Sequence, residues 1–450
     1  MRLGSRSSNA PKRESTPERR EMHTKLGWLM IAVLIDLIGF SIVIPLIPAY
    51  IAAGLHETAA VAVSDPRIGS YGGALIAVYA LMQFIFAPIW GSVSDAIGRK
   101  PIIIASLIGD AVFYTFFACS THFPAHCLQI EFAARILAGI FSSASLSVAQ
   151  AYVADVTPPE DRATGLGMLG AVFGVGFICG PALGGWLGSY YLWLPMIFAA
   201  VAALINAVYV IKVLPESRKP EERSKNSVAP LSIGMRLSMM GAGLAGPVGF
   251  LYILTFLITF AFANLEGTFT AYITQHFHYT GKASVSVSGY VFAYIGVIIV
   301  IVQGGLIRPL VKRFGEANLM LAGVLLMAVG FLLFPLPNKL SWLLIGPMLP
   351  IAFGNGLNAP SVRSLISRMT SADTQGRSLG LSSSFDSLAR ALGPACGGFF
   401  YYRFGQTSPY LVAGVTMTVA LLAAFAQRTK LEEARTAGVQ PEAATVKSTR

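Results

Sequence analysis

The sequence predicts an all-α integral membrane protein, with twelve transmembrane helices in two pseudo-symmetric six-helix halves. Three observations lead to this fold: a membrane-like composition, apolar runs of membrane length, and an internal repeat. Of the 450 residues, 54% are hydrophobic and only 12% are charged, whereas a soluble domain carries about 25% charged residues. This composition excludes an ordinary soluble enzyme, and it excludes disorder over the bulk of the chain.

Twelve apolar runs are long enough to cross a bilayer, which takes roughly 20 mostly apolar residues. They cover about 26–50, 72–91, 101–120, 126–148, 164–189, 191–213, 247–273, 285–307, 317–336, 340–366, 377–402 and 407–427. The polar segments between and around them divide the chain. The predicted parts are an N-terminal tail (1–25), a first half (26–214), a linker (215–245), a second half (246–428) and a C-terminal tail (429–450).

The net charge of +11 follows the topology of the spans. With the N-terminus placed inside, only Arg67, Lys282, Lys339 and Arg403 fall in outer loops, and most of the other basic residues fall on the inner side. This is a positive-inside bias, so we expect both tails to be cytoplasmic and no nucleic-acid partner. The chain has no N-x-[ST] sequon, which is compatible with a bacterial inner membrane.

An internal repeat links the two halves. The motif GPALGG at 180–185 returns as GPACGG at 393–398, and the glycine-led loop at Gly91 returns at Gly304 with the same separation. Each half would begin and end on the same side of the membrane, so the two are parallel repeats. Secondary transporters are built in this way, with a substrate site near the bilayer midplane between the repeats.

The loop after the second span contains Gly91, Asp95, Gly98, Arg99 and Lys100. Its G-x-x-x-D-x-x-G-R-[RK] pattern resembles the major facilitator superfamily. From about residue 26 to 427 the chain is similar to the twelve-span drug:proton antiporters of the tetracycline-efflux type. The resemblance implies that this loop gates the protein by holding the halves together on the cytoplasmic side. We also expect the glycines to permit a tight turn and a close approach of helices.

The first span carries Asp36, followed by Gly39-Phe40 and by Pro45 and Pro48, a pattern similar to the first helix of that family. A charge at this depth costs roughly 2.5–3.5 kcal/mol on insertion scales, which makes Asp36 a candidate for proton coupling. The alternative is a carboxyl that only packs helices.

The fifth span carries a glycine pattern that resembles the signature of antiporters. Its members are Gly170, Gly174, Gly180, Pro181, Gly184 and Gly185. Glycines at four-residue spacing share one helix face and let another backbone come close. This pattern is the main reason to expect export rather than uptake.

The fourth span carries Arg135, which matches the intramembrane arginine that the family uses in proton coupling. Glu131 lies one turn earlier, so an ion pair with Arg135 at i, i+4 is the alternative structural interpretation. The third span carries Asp110, which has no local partner and no role implied by the resemblance.

The second half has its own intramembrane acids. Asp386 and Arg390 stand at i, i+4 on the eleventh span, and this pairing favours a structural role. Glu266 on the seventh span has no basic residue within one turn. A carboxyl without a counter-charge in an apolar site can exchange protons near neutral pH, so Glu266 is the strongest candidate for proton coupling.

These observations predict a proton-driven exporter of a small amphipathic compound, drug-like or tetracycline-like, that works by alternating access. Three alternatives stay open: proton-linked transport of a metabolite such as a sugar or organic anion, an uncoupled facilitator, and a non-transporting membrane sensor. No phosphate-binding loop, metal-ligand spacing or nucleophile elbow is present. We therefore expect no enzyme activity, no metal or cofactor beyond the coupling proton, and a monomer. Cys119 and Cys127 are either a disulfide or two thiols.

Overall fold

The computed structural model describes residues 17–55, 65, 67–218, 233–246, 248–279, 282–370 and 372–428. The side chains at 17–19, 159–164, 166–167, 233, 236–237 and 372–377 are outside this description. Most of both predicted tails and residues 219–232 of the predicted linker also lie outside it.

The described residues are helical almost throughout and include no β-strand. The α-helices are α1 (Pro17–Ile42), α2 (Ile47–Gly54), α3 (Arg67–Ile97), α4 (Arg99–Cys119), α5 (Cys127–Val156), α6 (Pro159–Gly188), α7 (Leu194–Val213), α8 (Ile233–Leu244), α9 (Gly249–His276), α10 (Lys282–Ile301), α11 (Ile307–Phe314), α12 (Glu316–Leu332), α13 (Leu340–Leu343), α14 (Leu349–Arg368), α15 (Ala372–Phe404) and α16 (Ser408–Ala426). Two π-helical segments, Val302–Leu306 and Leu344–Met348, join α10 to α11 and α13 to α14.

Each of the twelve predicted spans falls on helix. Among the described residues, ten helical segments are long and apolar enough to cross a membrane. The ninth predicted span is α12, which is apolar but has 17 residues, and the eleventh is α15, which carries Asp386 and Arg390 near its centre. The predicted all-α membrane fold is therefore confirmed.

The first span is less regular than the sequence pattern suggested. Helix α1 ends at Ile42, a 3₁₀ turn follows at Ile44–Leu46, and α2 begins at Ile47. Pro45 and Pro48 lie at the starts of these two short elements. Proline has no N–H to donate to the preceding turn, so the break falls at the P-x-x-P pattern.

The two copies of the G-P-A-x-G-G motif have matching neighbours. In α6, a Cβ added at Gly180 would lie 2.8 Å from the backbone oxygen of Ile38 in α1, and one added at Gly185 would lie 3.0 Å from the Cα of Gly289 in α10. In α15, Gly393 packs in the same way on α9, and Gly398 packs on the backbone of α3. Each copy thus contacts one helix of its own half and one helix of the other half.

The two halves are joined at one end of the bundle. We call the end where α3 meets α4 the charged face, and the other end the opposite face. Near the opposite face, Gln275 donates a hydrogen bond to the backbone oxygen of Asp65 at 3.1 Å. Lys282 donates one to the backbone oxygen of Tyr190 at 2.7 Å. The protein is therefore closed at its opposite face.

The crossing of α6 and α10 strengthens this closure. The hydroxyl of Ser286 donates to the backbone oxygen of Gly185 at 3.2 Å, and a Cβ at Gly289 would lie 2.8 Å from the Cα of Gly185. The two backbones come this close only because Gly185 and Gly289 have no side chains.

We predict that Gly289→Val opens the opposite face. Its added methyl groups would overlap the backbone of α6 and force the two helices apart. The measurement is the rate of maleimide labelling of Ser286→Cys in the purified, otherwise cysteine-free protein. We expect labelling to be severalfold faster with Gly289→Val.

Gly304→Val is the matched control, because a Cβ at Gly304 would have no neighbour within 4 Å. Equal labelling rates in the Gly289 and Gly304 variants would contradict the proposed closure.

An ion-pair cluster lies at the charged face. Arg99 contacts Asp95 at 2.7 Å and Asp155 at 3.0 Å, and Arg218 contacts Asp95 at 3.1 Å. The carboxylate of Glu216 accepts the backbone N–H of Arg99 at 2.8 Å. These contacts join α3, α4, α5 and the start of the linker. The expected latch would join the two halves at this face. In this structure these ion pairs lie within the first half and the start of the linker, and the contacts described above between the halves lie at the opposite face.

The two loop glycines differ in their roles. Gly98 has φ +113°, a conformation that strains any residue with a Cβ, so the expected tight turn is confirmed there. A Cβ at Gly91 would have no neighbour within 4 Å. The expected close approach of helices at Gly91 was wrong, because no other helix packs at that position. The side chain of Lys100 donates a hydrogen bond to the backbone oxygen of Ile211 at 2.8 Å.

We predict that Arg99→Gln lowers the thermal stability of the protein in detergent. Arg99 is 4% exposed, and its loss leaves Asp155 without its arginine and Asp95 with Arg218 alone. Breaking a buried pair costs about 3–5 kcal/mol, and we expect about half of that because Asp95 is 40% exposed. Lys100→Gln removes a positive charge at the next position and serves as the control. Equal melting temperatures for the two variants would show that the cluster does not stabilise the charged face.

Candidate functional site

Two buried carboxyl groups meet in the first half. Asp36 of α1 lies beside Asp110 of α4 and Ser145 of α5. Asp110 is fully buried, and no hydrogen-bond donor among the described residues reaches either of its carboxyl oxygens. Two adjacent carboxyls in an apolar site cannot both be charged without a large penalty, so such a pair favours binding of a shared proton or a cation. No local sequence pattern predicts this pair, since the two residues lie on different helices.

Arg135 does not form the predicted ion pair with Glu131. The two described side chains make no salt bridge, and Arg135 is 4% exposed inside the first half. Its guanidinium lies over the rings of Tyr79 and Phe117, at 5.2 and 5.4 Å from their centroids. Cation–π contacts of this kind strengthen when water is excluded, which explains why the arginine turns away from its i−4 neighbour.

Glu131 uses uncharged donors instead. Its Oε1 accepts a bond from the hydroxyl of Ser120 at 3.3 Å and from the thiol of Cys127 at 3.2 Å. Ser120 lies in the short connection between α4 and α5, and Cys127 is the first residue of α5. The sequence left open whether Cys119 and Cys127 form a disulfide or stay as two thiols. In this structure both are free thiols.

The acids of the second half lie together. Arg390 donates to Asp386 at 3.2 Å, as the spacing predicted, and Thr259 donates to the other oxygen of Asp386 at 2.6 Å. Glu266 is 7% exposed, and its Oε1 has no hydrogen-bond partner among the described residues. Its nearest charges are Arg390 and Asp386. Glu266 thus lacks a local partner but faces an ion pair on α15.

Four rings, which we call the aromatic strip, connect the two clusters. Phe40 lies 5.3 Å from Tyr79 and 6.3 Å from Phe177 between ring centroids, and Phe177 stacks on Phe173 at 5.5 Å. The guanidinium of Arg390 lies 5.2 Å from the centroid of Phe173. All four rings belong to the first half, and the strip contacts the second half at Arg390.

The glycines of α6 allow the second half to come close to the strip. A Cβ at Gly170 would lie 3.5 Å from Nη1 of Arg363, and one at Gly174 would lie 3.8 Å from Val300, so both glycines face the second half. Gly180 and Gly184 face α1, and α6 continues through the buried Pro181. Arg363 itself lies on α14, against the first half.

The centre of the bundle therefore combines two carboxyl clusters, two arginines and an aromatic surface. Carboxyls without full counter-charges can take up and release protons, and aromatic rings can hold an apolar compound. No cluster of three or more His, Cys, Asp or Glu side chains suited to a metal ion occurs in the part of the chain that is described.

The family comparison agrees with this architecture. The model of the Major Facilitator Superfamily matches residues 29–308 and 251–449, which together span nearly the whole chain.

Curated relatives include proteins named for drug resistance. The chain is 31% identical over 363 residues to the class C tetracycline resistance protein of Escherichia coli, covering 80% of this chain and 86% of that protein. It is 28% identical over 395 residues to multidrug resistance protein 2 of Bacillus subtilis, covering 87% and 92% of the two chains.

Solved structures give the same fold. The crystal structure of the human organic anion transporter MFSD10 (TETRAN) matches with a TM-score of 0.67 and 25% identity, over 91% of this chain and 100% of that chain. The nucleoside transporter NupG matches with the same TM-score at 12% identity, which shows the fold alone. The chain belongs to the Major Facilitator Superfamily and is a transporter related to the tetracycline-efflux drug:proton antiporters.

Proposed function

We propose that the protein exports a small amphipathic compound in exchange for protons. The observation that carries this proposal is Glu266, an almost fully buried carboxyl with an unbonded oxygen beside the Asp386–Arg390 pair. A carboxyl held at this depth is a functional group by default. The printed functions of the relatives, tetracycline resistance and multidrug resistance, support a drug-like substrate.

The mechanism is alternating access, in which the halves rock around the central site. In the conformation described here the opposite face is closed, so the site opens toward the charged face. After the halves rock, protonation of Glu266 or Asp36 weakens the hold on the substrate and releases it. Proton return drives the cycle with about 2.3 kcal/mol per charge per 100 mV.

The orientation follows from the basic loops. We propose that the charged face and both termini are cytoplasmic, by the positive-inside rule, in a bacterial inner membrane. The closed opposite face is then the outer one. We further propose that the protein works as a monomer.

We predict that a substrate triggers proton efflux from inverted vesicles energised to an acid interior. A panel of amphipathic drugs, tetracyclines included, is added, and a pH-sensitive dye reports the interior. We expect Glu266→Gln and Asp36→Asn each to reduce the drug-triggered efflux at least about tenfold, because a neutral amide cannot exchange the coupling proton.

Glu21→Gln is the control, since Glu21 is an exposed acid on the same helix as Asp36 and pairs only with Lys25 at 2.8 Å. If no drug triggers efflux while the protein is present and folded, the drug-export proposal is wrong. If drugs still exchange across the membrane in the Glu266 and Asp36 variants, the protein is an uncoupled facilitator.

A further inference from the structure

Glu131 is a buried acid outside the central site. It lies on the second turn of α5, and its side chain is fully buried. Its Oε1 accepts the hydroxyl of Ser120 at 3.3 Å and the thiol of Cys127 at 3.2 Å. No hydrogen-bond donor among the described residues reaches its Oε2. Buried polar atoms are almost always hydrogen-bonded, so one oxygen of this carboxyl lacks the partner that a charged group would need.

Glu131 lies near the opposite face, away from the central acids. The connection 120–126 joins α4 to α5 at that face, and its last residue, the exposed His126, precedes α5. Glu131 follows about one helical turn later. Ser145, which lies beside Asp36, is fourteen residues further along α5, which corresponds to about 21 Å of helix. Glu131 therefore stands between the opposite face and the centre of the first half.

Arg135 lies one turn deeper than Glu131 but does not pair with it. Its guanidinium lies over the rings of Tyr79 and Phe117, at 5.2 and 5.4 Å from their centroids, and its Nε has no hydrogen-bond partner among the described residues. A buried arginine with an unused N–H would pair with a carboxylate four residues away, because an uncompensated buried charge is costly. An uncharged, protonated Glu131 explains why the two side chains stay apart.

We propose that Glu131 is a proton-binding site of its own, with the proton on Oε2 in the conformation described here, and that this proton sets the partner of Arg135. This inference rests on the proposed proton exchange and adds a residue to it. While Glu131 is protonated, Arg135 stays on the two rings. When Glu131 loses the proton, its carboxylate attracts the guanidinium and draws it toward the opposite face.

The surroundings of Glu131 allow both charge states. Exclusion of water favours the neutral acid, whereas the two hydrogen-bond donors favour the carboxylate. The other ionisable groups that face it are Cys127 and Tyr50 of α2, with Cys119 close to Tyr50. None of these three groups carries a positive charge, so Arg135 is the counter-charge that a charged Glu131 requires.

The first test detects the proton directly. Infrared difference spectra of the purified full-length protein are recorded between mildly acidic and mildly alkaline pH, and the carbonyl band of protonated carboxyl groups is compared between variants. We expect Glu131→Gln to remove one component of this band. Cys127→Ala should move that component to higher frequency, because the carbonyl oxygen of Glu131 then accepts one hydrogen bond fewer.

Glu316→Gln is the matched control. Glu316 is 3% exposed and accepts the hydroxyl of Ser364 at 3.2 Å, much as Glu131 accepts that of Ser120, but it also pairs with Arg368 at 2.7 Å. Its substitution should leave the band unchanged. An unchanged band in Glu131→Gln, or a component that does not move in Cys127→Ala, would overturn the proposal.

The second test measures transport. In inverted vesicles with an acid interior, the opposite face lines the interior under the proposed orientation, so protons reach Glu131 from the acid side. We expect Glu131→Gln to reduce drug-triggered proton efflux severalfold. The same variant should retain the exchange of labelled drug across the membrane without a gradient, because this exchange moves no net proton, and its retention shows that the variant is folded. Undiminished efflux in Glu131→Gln would contradict a role of this proton in the exchange.

The two tests separate this proposal from the proposed function. If no drug triggers efflux with the unsubstituted protein, the proposed function is wrong, and the infrared band still decides whether Glu131 binds a proton. If efflux occurs but the band is the same in Glu131→Gln, the proposed function stands and only this proton site is refuted.

Discussion

The central packing depends on one electrostatic constraint: a charged side chain inside a bilayer needs a partner or must lose its charge. The protein meets this constraint differently at each position. Asp386 has both an arginine and a threonine as partners, and Arg135 has two aromatic rings. Asp36, Asp110, Glu131 and Glu266 have no full counter-charge among the described residues. These four carboxyls are therefore the buried acids that can most readily exist without charge.

Close helix crossings provide the second constraint. The G-P-A-x-G-G motifs bring α6 onto α10 and α15 onto α3 without side chains between the backbones. Because these crossings join the two halves near the opposite face, closure there requires little more than backbone contact and a few hydrogen bonds. On the charged face, by contrast, the ion pairs of Arg99 stay within the first half and the start of the linker.

The aromatic strip connects the buried charges with the close helix crossings. It lies between the carboxyls of the first half and the arginines of the second half, and the second half approaches it where Gly170 and Gly174 leave room on α6. Glycines that were expected to serve helix packing therefore also shape the site. The relatives include proteins named for tetracycline resistance and one named for organic anion transport, so family membership alone leaves the charge of the substrate open.

The sequence by itself determined the helical membrane fold, the positions of the spans, the repeated glycine motifs and the Asp386–Arg390 pair. Hydrophobic runs, helical spacing and motif repeats are local properties, and they persist whatever the neighbouring helices do. Only the tertiary structure decided the partners across helices. It placed Asp110 beside Asp36, turned Arg135 toward Tyr79 rather than Glu131, and brought Arg363 against Gly170. These contacts join residues far apart in the chain, and their geometry depends on how the helices rotate and pack, which no local spacing encodes.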